Sequence, residues 1–146
     1  MAANSPEVQT IYDSATQTVV KVNGYCDTTV TTNTTIVVPK TLAFANTNQT
    51  CLLALTSIQY AVHANGYVQL AWQGSSTNTP IYTFGPSLAG TFSCSIPNNA
   101  STPTGNVVLV QQGMVALDTY VFILTFDKVA GYANGNYAYA KDGGAA

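Results

Sequence analysis

The sequence predicts an all-β fold, an antiparallel β-sandwich or Greek-key/jelly-roll barrel of about eight strands. Three observations carry that expectation. Short apolar runs recur along the chain, each broken by a cluster of Gly, Pro or Asn. Threonine comes in runs, as in Thr28-Thr29-Val30-Thr31-Thr32-Asn33-Thr34-Thr35, and its branched Cβ favours extended backbone over helix. Charged residues make up only 7% of the chain while apolar residues reach 47%, so the surface must be built from neutral Thr, Asn, Gln and Ser.

Val8 to Tyr12 and Thr18 to Gly24 read as an opening hairpin across Asp13-Ser14-Ala15-Thr16. A third strand lies within Val30 to Val38, where Pro39 ends it, and a short strand follows near Leu42 to Ala45. From Thr50 to Ala64 two periods compete. Cys51, Leu55, Ile58 and Val62 fit a helix, whereas Ile58, Tyr60 and Val62 alternate as in a strand. The Asn65-Gly66 turn signal favours the strand. A two-residue loop there would set Ile58, Tyr60 and Val62 on the face of Gln69, Ala71 and Gln73, so the apolar faces would not coincide. The loop Ala64-Asn65-Gly66 instead pairs Val62 with Val68, Tyr60 with Leu70 and Ile58 with Trp72. It puts Gly66 at the left-handed position of a bulge and His63 beside Tyr67 on the outer side.

Further strands are expected at Pro80 to Gly85, Gly90 to Ile96, Asn106 to Gln112 and Asp118 to Val129, with polar loops at Gly74 to Thr79 and Pro97 to Gly105. In the last strand Tyr120, Phe122, Leu124 and Phe126 make one face, yet Val121 and Ile123 make the other apolar too; Val107 to Val110 repeats the pattern. A sandwich strand ordinarily buries one face. Either a loop covers the second face or it meets another protein chain. Residues 1–130 read as one sandwich domain, and residues 131–146 as a tail rich in Gly, Ala and Tyr, a composition suited to docking on a neighbour or to partial disorder.

Several function classes are disfavoured. The chain has no Arg, and Lys21, Lys40, Lys128 and Lys141 are scattered, so a phosphate backbone finds no footprint and nucleic acid is not an expected partner. No membrane partner is expected either: the longest apolar runs, such as Cys51 to Leu55, are far short of a bilayer span, and no basic-then-apolar leader opens the sequence. The chain is expected to start as a soluble cytoplasmic product unless a leader was removed. Cys26, Cys51 and Cys94 are odd in number and widely spaced, which favours reduced core thiols over a Cys26 to Cys51 bridge with Cys94 left over.

No enzyme, cofactor or metal is expected. His63 is the single histidine, no family motif surrounds a cysteine, and Glu7, Asp13, Asp27, Asp118, Asp127 and Asp142 are dispersed. Zinc spacing and a phosphate loop are both missing. Asp118-Thr119-Tyr120 is similar to the corner tyrosine of Greek-key sandwiches, a structural tether. Trp72 falls on the apolar face of its strand and so belongs to the core, leaving Tyr12, Tyr25, Tyr67 and Tyr82 as aromatic candidates for stacking on sugar.

The run from Gly113 through Asp118-Thr119-Tyr120-Val121-Phe122-Ile123-Leu124 to Lys128, closing in Ala130-Gly131-Tyr132-Ala133, resembles the C-terminal ending of small virion structural proteins of tailed bacteriophages, among them capsid decoration (head auxiliary) proteins. The resemblance implies a cement protein that is made in the host cytoplasm, binds the outer surface of the virion head at many equivalent sites and stabilises the shell. The implied partners are the major capsid protein lattice and further copies of this chain, as neighbours on the capsid or as a homo-oligomer such as a trimer. No catalytic residue is implied. From the residues themselves, the candidates for partner docking are Val121, Ile123, Tyr132, Tyr137 and Tyr139. The competing class is a carbohydrate- or receptor-binding β-sandwich module of a phage appendage or a secreted lectin, which requires a solvent-facing aromatic platform. A third class, a small hydrolase, requires a pocket in which His63 meets a cysteine or a carboxylate.

Overall fold

The computed structural model describes residues 3–132, and these form two antiparallel sheets packed face to face. The strands are β1 (Glu7–Asp13), β2 (Gln17–Tyr25), β3 (Val30–Val37), β4 (Leu52–His63), β5 (Tyr67–Gly74), β6 (Asn78–Phe84), β7 (Ser87–Pro97), β8 (Pro103–Met114) and β9 (Thr119–Ala130). A single turn of 3₁₀ helix, Pro39–Thr41, follows β3. One sheet has the order β1-β2-β9-β4-β7 and the other β3-β8-β5-β6. The expected β-sandwich is the observed architecture.

Alternation decides which face each strand buries. On β9 Tyr120, Phe122, Leu124 and Phe126 point inward and are buried, and on β2 Thr18, Val20 and Val22 do the same. The facing sheet supplies Val68, Leu70 and Trp72 from β5 and Val107 and Leu109 from β8. Trp72 is fully enclosed, its ring edge-on to Phe126 at 6.2 Å, and Phe84 lies 4.9 Å from Phe122. Each large side chain buried this way contributes roughly 1.5–3 kcal/mol.

The opening hairpin forms where expected, with Asp13 opposite Thr18, and Ile11 is bulged out between Thr10 and Tyr12. The hairpin between β4 and β5 does not form. Both edges of β4 are taken by β9 and β7, and both edges of β5 by β8 and β6, so Ala64-Asn65-Gly66 is an arch that carries the chain from one sheet to the other. The inward assignment of Ile58, Val62, Val68, Leu70 and Trp72 is nevertheless correct, because facing strands of a sandwich bury the same sides that paired strands would. Gly66 is not left-handed. It is needed for a close approach, since a Cβ there would stand 2.1 Å from the Gln112 carbonyl oxygen.

Asp118 holds this arch. Its carboxylate accepts from the Asn65 backbone N–H at 3.0 Å, the Asn65 side-chain amide at 3.0 Å and the Val115 N–H at 2.9 Å. The corner tether is therefore the aspartate. Tyr120 is turned into the core over Gly24, and its hydroxyl has no hydrogen-bond partner among the described residues.

No strand forms at Leu42 to Ala45. The segment is a loop in which Phe44 adopts φ 67°, and only Ala45 bridges, to Tyr132. Lys128 organises this end of the molecule: its buried Nζ donates to Asp13 Oδ1 at 2.6 Å, to the Ala43 carbonyl at 2.7 Å and to the Ser14 carbonyl, and lies 5.0 Å from the Tyr132 ring centre. The packed unit thus continues past residue 130 to include Gly131 and Tyr132.

Candidate functional site

The outer face of the five-stranded sheet carries the candidate site. Strand pairing aligns side chains into rows that cross β2, β9, β4 and β7 in turn. One row is Asn23, Val121, Ala61 and Ala89; the next is Lys21, Ile123, Gln59 and Thr91; the row above is Tyr25, Thr119, His63 and Ser87. Ala61 and Ala89 are short, so the surface sinks between its taller neighbours, with the Gly90 backbone lining one side. Two depressions result, of about 440 and 400 Å³, sharing Ala61 and Val121 and so forming one trough.

The floor is apolar, made by Ala61, Ala89, Val121 and Ile123. Around it stand neutral hydrogen-bonding groups: the amides of Asn23 and Gln59 and the hydroxyls of Thr91 and Thr119. Charge enters these rows with Lys21 and with Glu7, which lies opposite Asn23 on β1. Val121 and Ile123 remain half-exposed, so within the described residues no loop covers the outer face of β9.

The other residues singled out from sequence do not join them. Tyr132 is buried, donating its hydroxyl to the Pro39 carbonyl at 2.9 Å, and burial pushes its phenol above the ordinary value. It is a core residue, because the turn at Gly131 folds it against Lys128 rather than outward. Tyr137 and Tyr139 lie outside the described residues. Tyr25 ends the row that holds His63, and Tyr12 stands exposed on β1 opposite Val19. Tyr67 belongs to the other sheet, so His63 does not face it. Tyr82 packs 4.8 Å from Phe84 and 5.1 Å from Phe92, ring centre to ring centre.

The trough residues missed from sequence, Asn23, Gln59, Ala61, Ala89, Thr91 and Thr119, come from strands whose sheet neighbours are mostly distant in the chain. Their only local signal is the polar or small residue at every second position.

The cysteines stand apart from His63 chemically. The Cys26 thiol is directed at Gln111 Oε1 at 3.6 Å, that of Cys94 at the Leu55 carbonyl at 3.4 Å and that of Cys51 at the Gly131 carbonyl at 3.3 Å. Burial raises the pKa of all three, and at Cys26 the carboxylates of Asp118 and Asp27 add to the effect, which works against a thiolate nucleophile. All three are free. Among the described residues, no group of three or more His, Cys, Asp or Glu converges as metal ligands would.

No protein-family model matches the chain, and no curated protein matches it. Among solved structures it is similar to mutant forms of family 29 carbohydrate binding modules. One is 9% identical, with a TM-score of 0.36 over 84% of this chain and 92% of that one. Another is 10% identical, with a TM-score of 0.36 over 84% of this chain and 93% of that one.

Proposed function

We propose that this chain is a non-catalytic binding module that holds a neutral glycan in the trough on the outer face of the β1-β2-β9-β4-β7 sheet. The observation that supports this reading is the pairing of an apolar floor, Ala61, Ala89, Val121 and Ile123, with a rim of amides and hydroxyls from Asn23, Gln59, Thr91 and Thr119. A sugar ring presents the matching surface: a C–H face that is apolar and a periphery of hydroxyls that donate and accept without charge. Depressions of about 440 and 400 Å³ fall within the roughly 300–1,000 Å³ typical of small-ligand clefts. His63 and Ser87, paired across β4 and β7, stand at one end of the trough, and the reading advanced is binding without turnover.

The test is an array of neutral oligosaccharides followed by calorimetric titration. The expected result is binding that weakens about tenfold in Gln59→Ala or Asn23→Ala, the loss of one good hydrogen bond. It should be abolished in Ala61→Trp, which fills the floor, and should change little with salt. Absence of binding to every neutral glycan at millimolar concentration overturns the reading, as does binding that survives Ala61→Trp.

A second reading, capsid decoration, is favoured by the half-exposed Val121 and Ile123 on the strand that carries the resemblance to phage virion proteins. In that case the same face docks on the capsid lattice. Heads lacking the protein would bind the wild-type chain and would not bind Val121→Lys; failure of the wild-type chain to bind at any concentration removes this reading.

A further inference from the structure

We infer that the free edge of β7 pairs with the same edge of a second copy of this chain, joining two five-stranded sheets into one. The four edge strands of the sandwich are unequally protected. β1 carries Glu7 and Asp13 and is bulged at Ile11; β3 is broken by register shifts near Val30 and near Ile36; β6 contains Pro80 and a shift beside it. Charges, bulges and proline are the devices that keep a sheet edge from recruiting another strand. Over Ser87 to Ser93, β7 has none of them. That stretch is in unbroken register with β4, contains no charged residue and no proline, and its bulge lies beyond it, between Ser93 and Ile96. It is also exposed along nearly its whole length. No hydrogen bond from another described segment reaches its outer edge.

The segment is self-complementary about Gly90. An antiparallel pair centred there sets Ser87 opposite Ser93 of the second copy, Leu88 opposite Phe92 and Ala89 opposite Thr91, with no like charges facing. Leu88 is 41% exposed in the single chain, an unusual state for a leucine on the inward side of its strand, and Phe92 of the second copy would cover it. A two-fold axis perpendicular to the sheet keeps both outer faces on one side. Ala89, Gly90 and Thr91 line the trough, so the two troughs would meet along the joined edge. The inference does not depend on what the trough binds.

Sedimentation equilibrium of the full chain without any glycan tests it, together with hydrogen exchange. The expected mass is twice the 15.3 kDa of the chain. The amides of Ser87 to Ser93 should exchange more slowly as protein concentration rises. Placing Ser87→Lys and Ser93→Lys in one chain sets lysines opposite each other twice, and should raise the dimer dissociation constant by about tenfold or more. A chain that stays monomeric at millimolar concentration overturns the proposal, as does a trimer. A dimer whose β7 amides exchange at a concentration-independent rate also overturns it, and that measurement needs only the wild-type chain if the lysine variant fails to fold. Glycan titration is a separate readout, so loss of the dimer and loss of glycan binding are distinguishable.

Discussion

Lys128 and Asp13 form an ion pair at 2.6 Å that ties the last strand to the turn of the first hairpin, with the lysine side chain wholly enclosed and that of the aspartate 22% exposed. Removing one partner leaves a charge stranded. Asp13→Ala should lower stability by about 3 kcal/mol, the usual effect of stripping one member from an enclosed pair. Replacing both, Asp13→Leu with Lys128→Met, should recover most of that loss. Urea denaturation of the two variants checks the difference.

Asp118 gathers three donors at the arch between the sheets. Asp118→Ala strands two backbone N–H groups in a half-buried site and should cost about 2–3 kcal/mol. Asp118→Asn, which keeps one acceptor oxygen, should fall between the two in thermal denaturation.

Gly66 and Gly113 lie against each other yet are glycines for different reasons. A Cβ on Gly66 would meet backbone at 2.1 Å, whereas at Gly113 the nearest atom is 3.8 Å away but φ is +68°. Asn tolerates the left-handed region and Ala does not. Gly113→Asn should therefore be milder than Gly113→Ala, while Gly66→Asn should be at least as damaging as Gly66→Ala, by about 2 kcal/mol or more. Melting temperatures of the four variants read this out.

Burial raises the pKa of Cys26, Cys51 and Cys94 above the ordinary 9.0, and of Tyr120 and Tyr132 above the ordinary 10.0. A folded value above the unfolded one gives stability that is full below the unfolded value and is lost as pH climbs through the folded one. The urea midpoint should contain no contribution from these groups to any slope below about pH 8, and should fall progressively above about pH 9. Tyr120→Phe removes a buried hydroxyl without a partner, so it should leave neutral-pH stability within about 0.5 kcal/mol and flatten part of the alkaline fall.

Strand positions were readable because alternation is local: Tyr120, Phe122, Leu124 and Phe126 announce their inward face without reference to anything else. Partner choice was not. Asn65-Gly66 has the composition of a tight turn, and only the occupation of both edges of β4 by β9 and β7 turns it into an arch. The trough was half visible for the same reason. Val121 and Ile123 stand out as apolar residues on an outward face, but Ala61 and Ala89 gain meaning only when distant strands bring them alongside. Tyr132 stands in a tyrosine-rich context that suggests a docking tail, whereas Lys128 and Pro39 draw it inward.

The position of β9 bears on how the chain reaches this state during synthesis. β2 and β4 do not pair with each other; each pairs with β9, which is inserted between them. A ribosome delivering the chain in order therefore releases an incomplete sheet with two unsatisfied strands, and the five-stranded sheet closes only when the stretch from Thr119 to Ala130 emerges. Truncation before that stretch would abolish the fold instead of shortening it, and the waiting edges of β2 and β4 are where a chaperone would be needed.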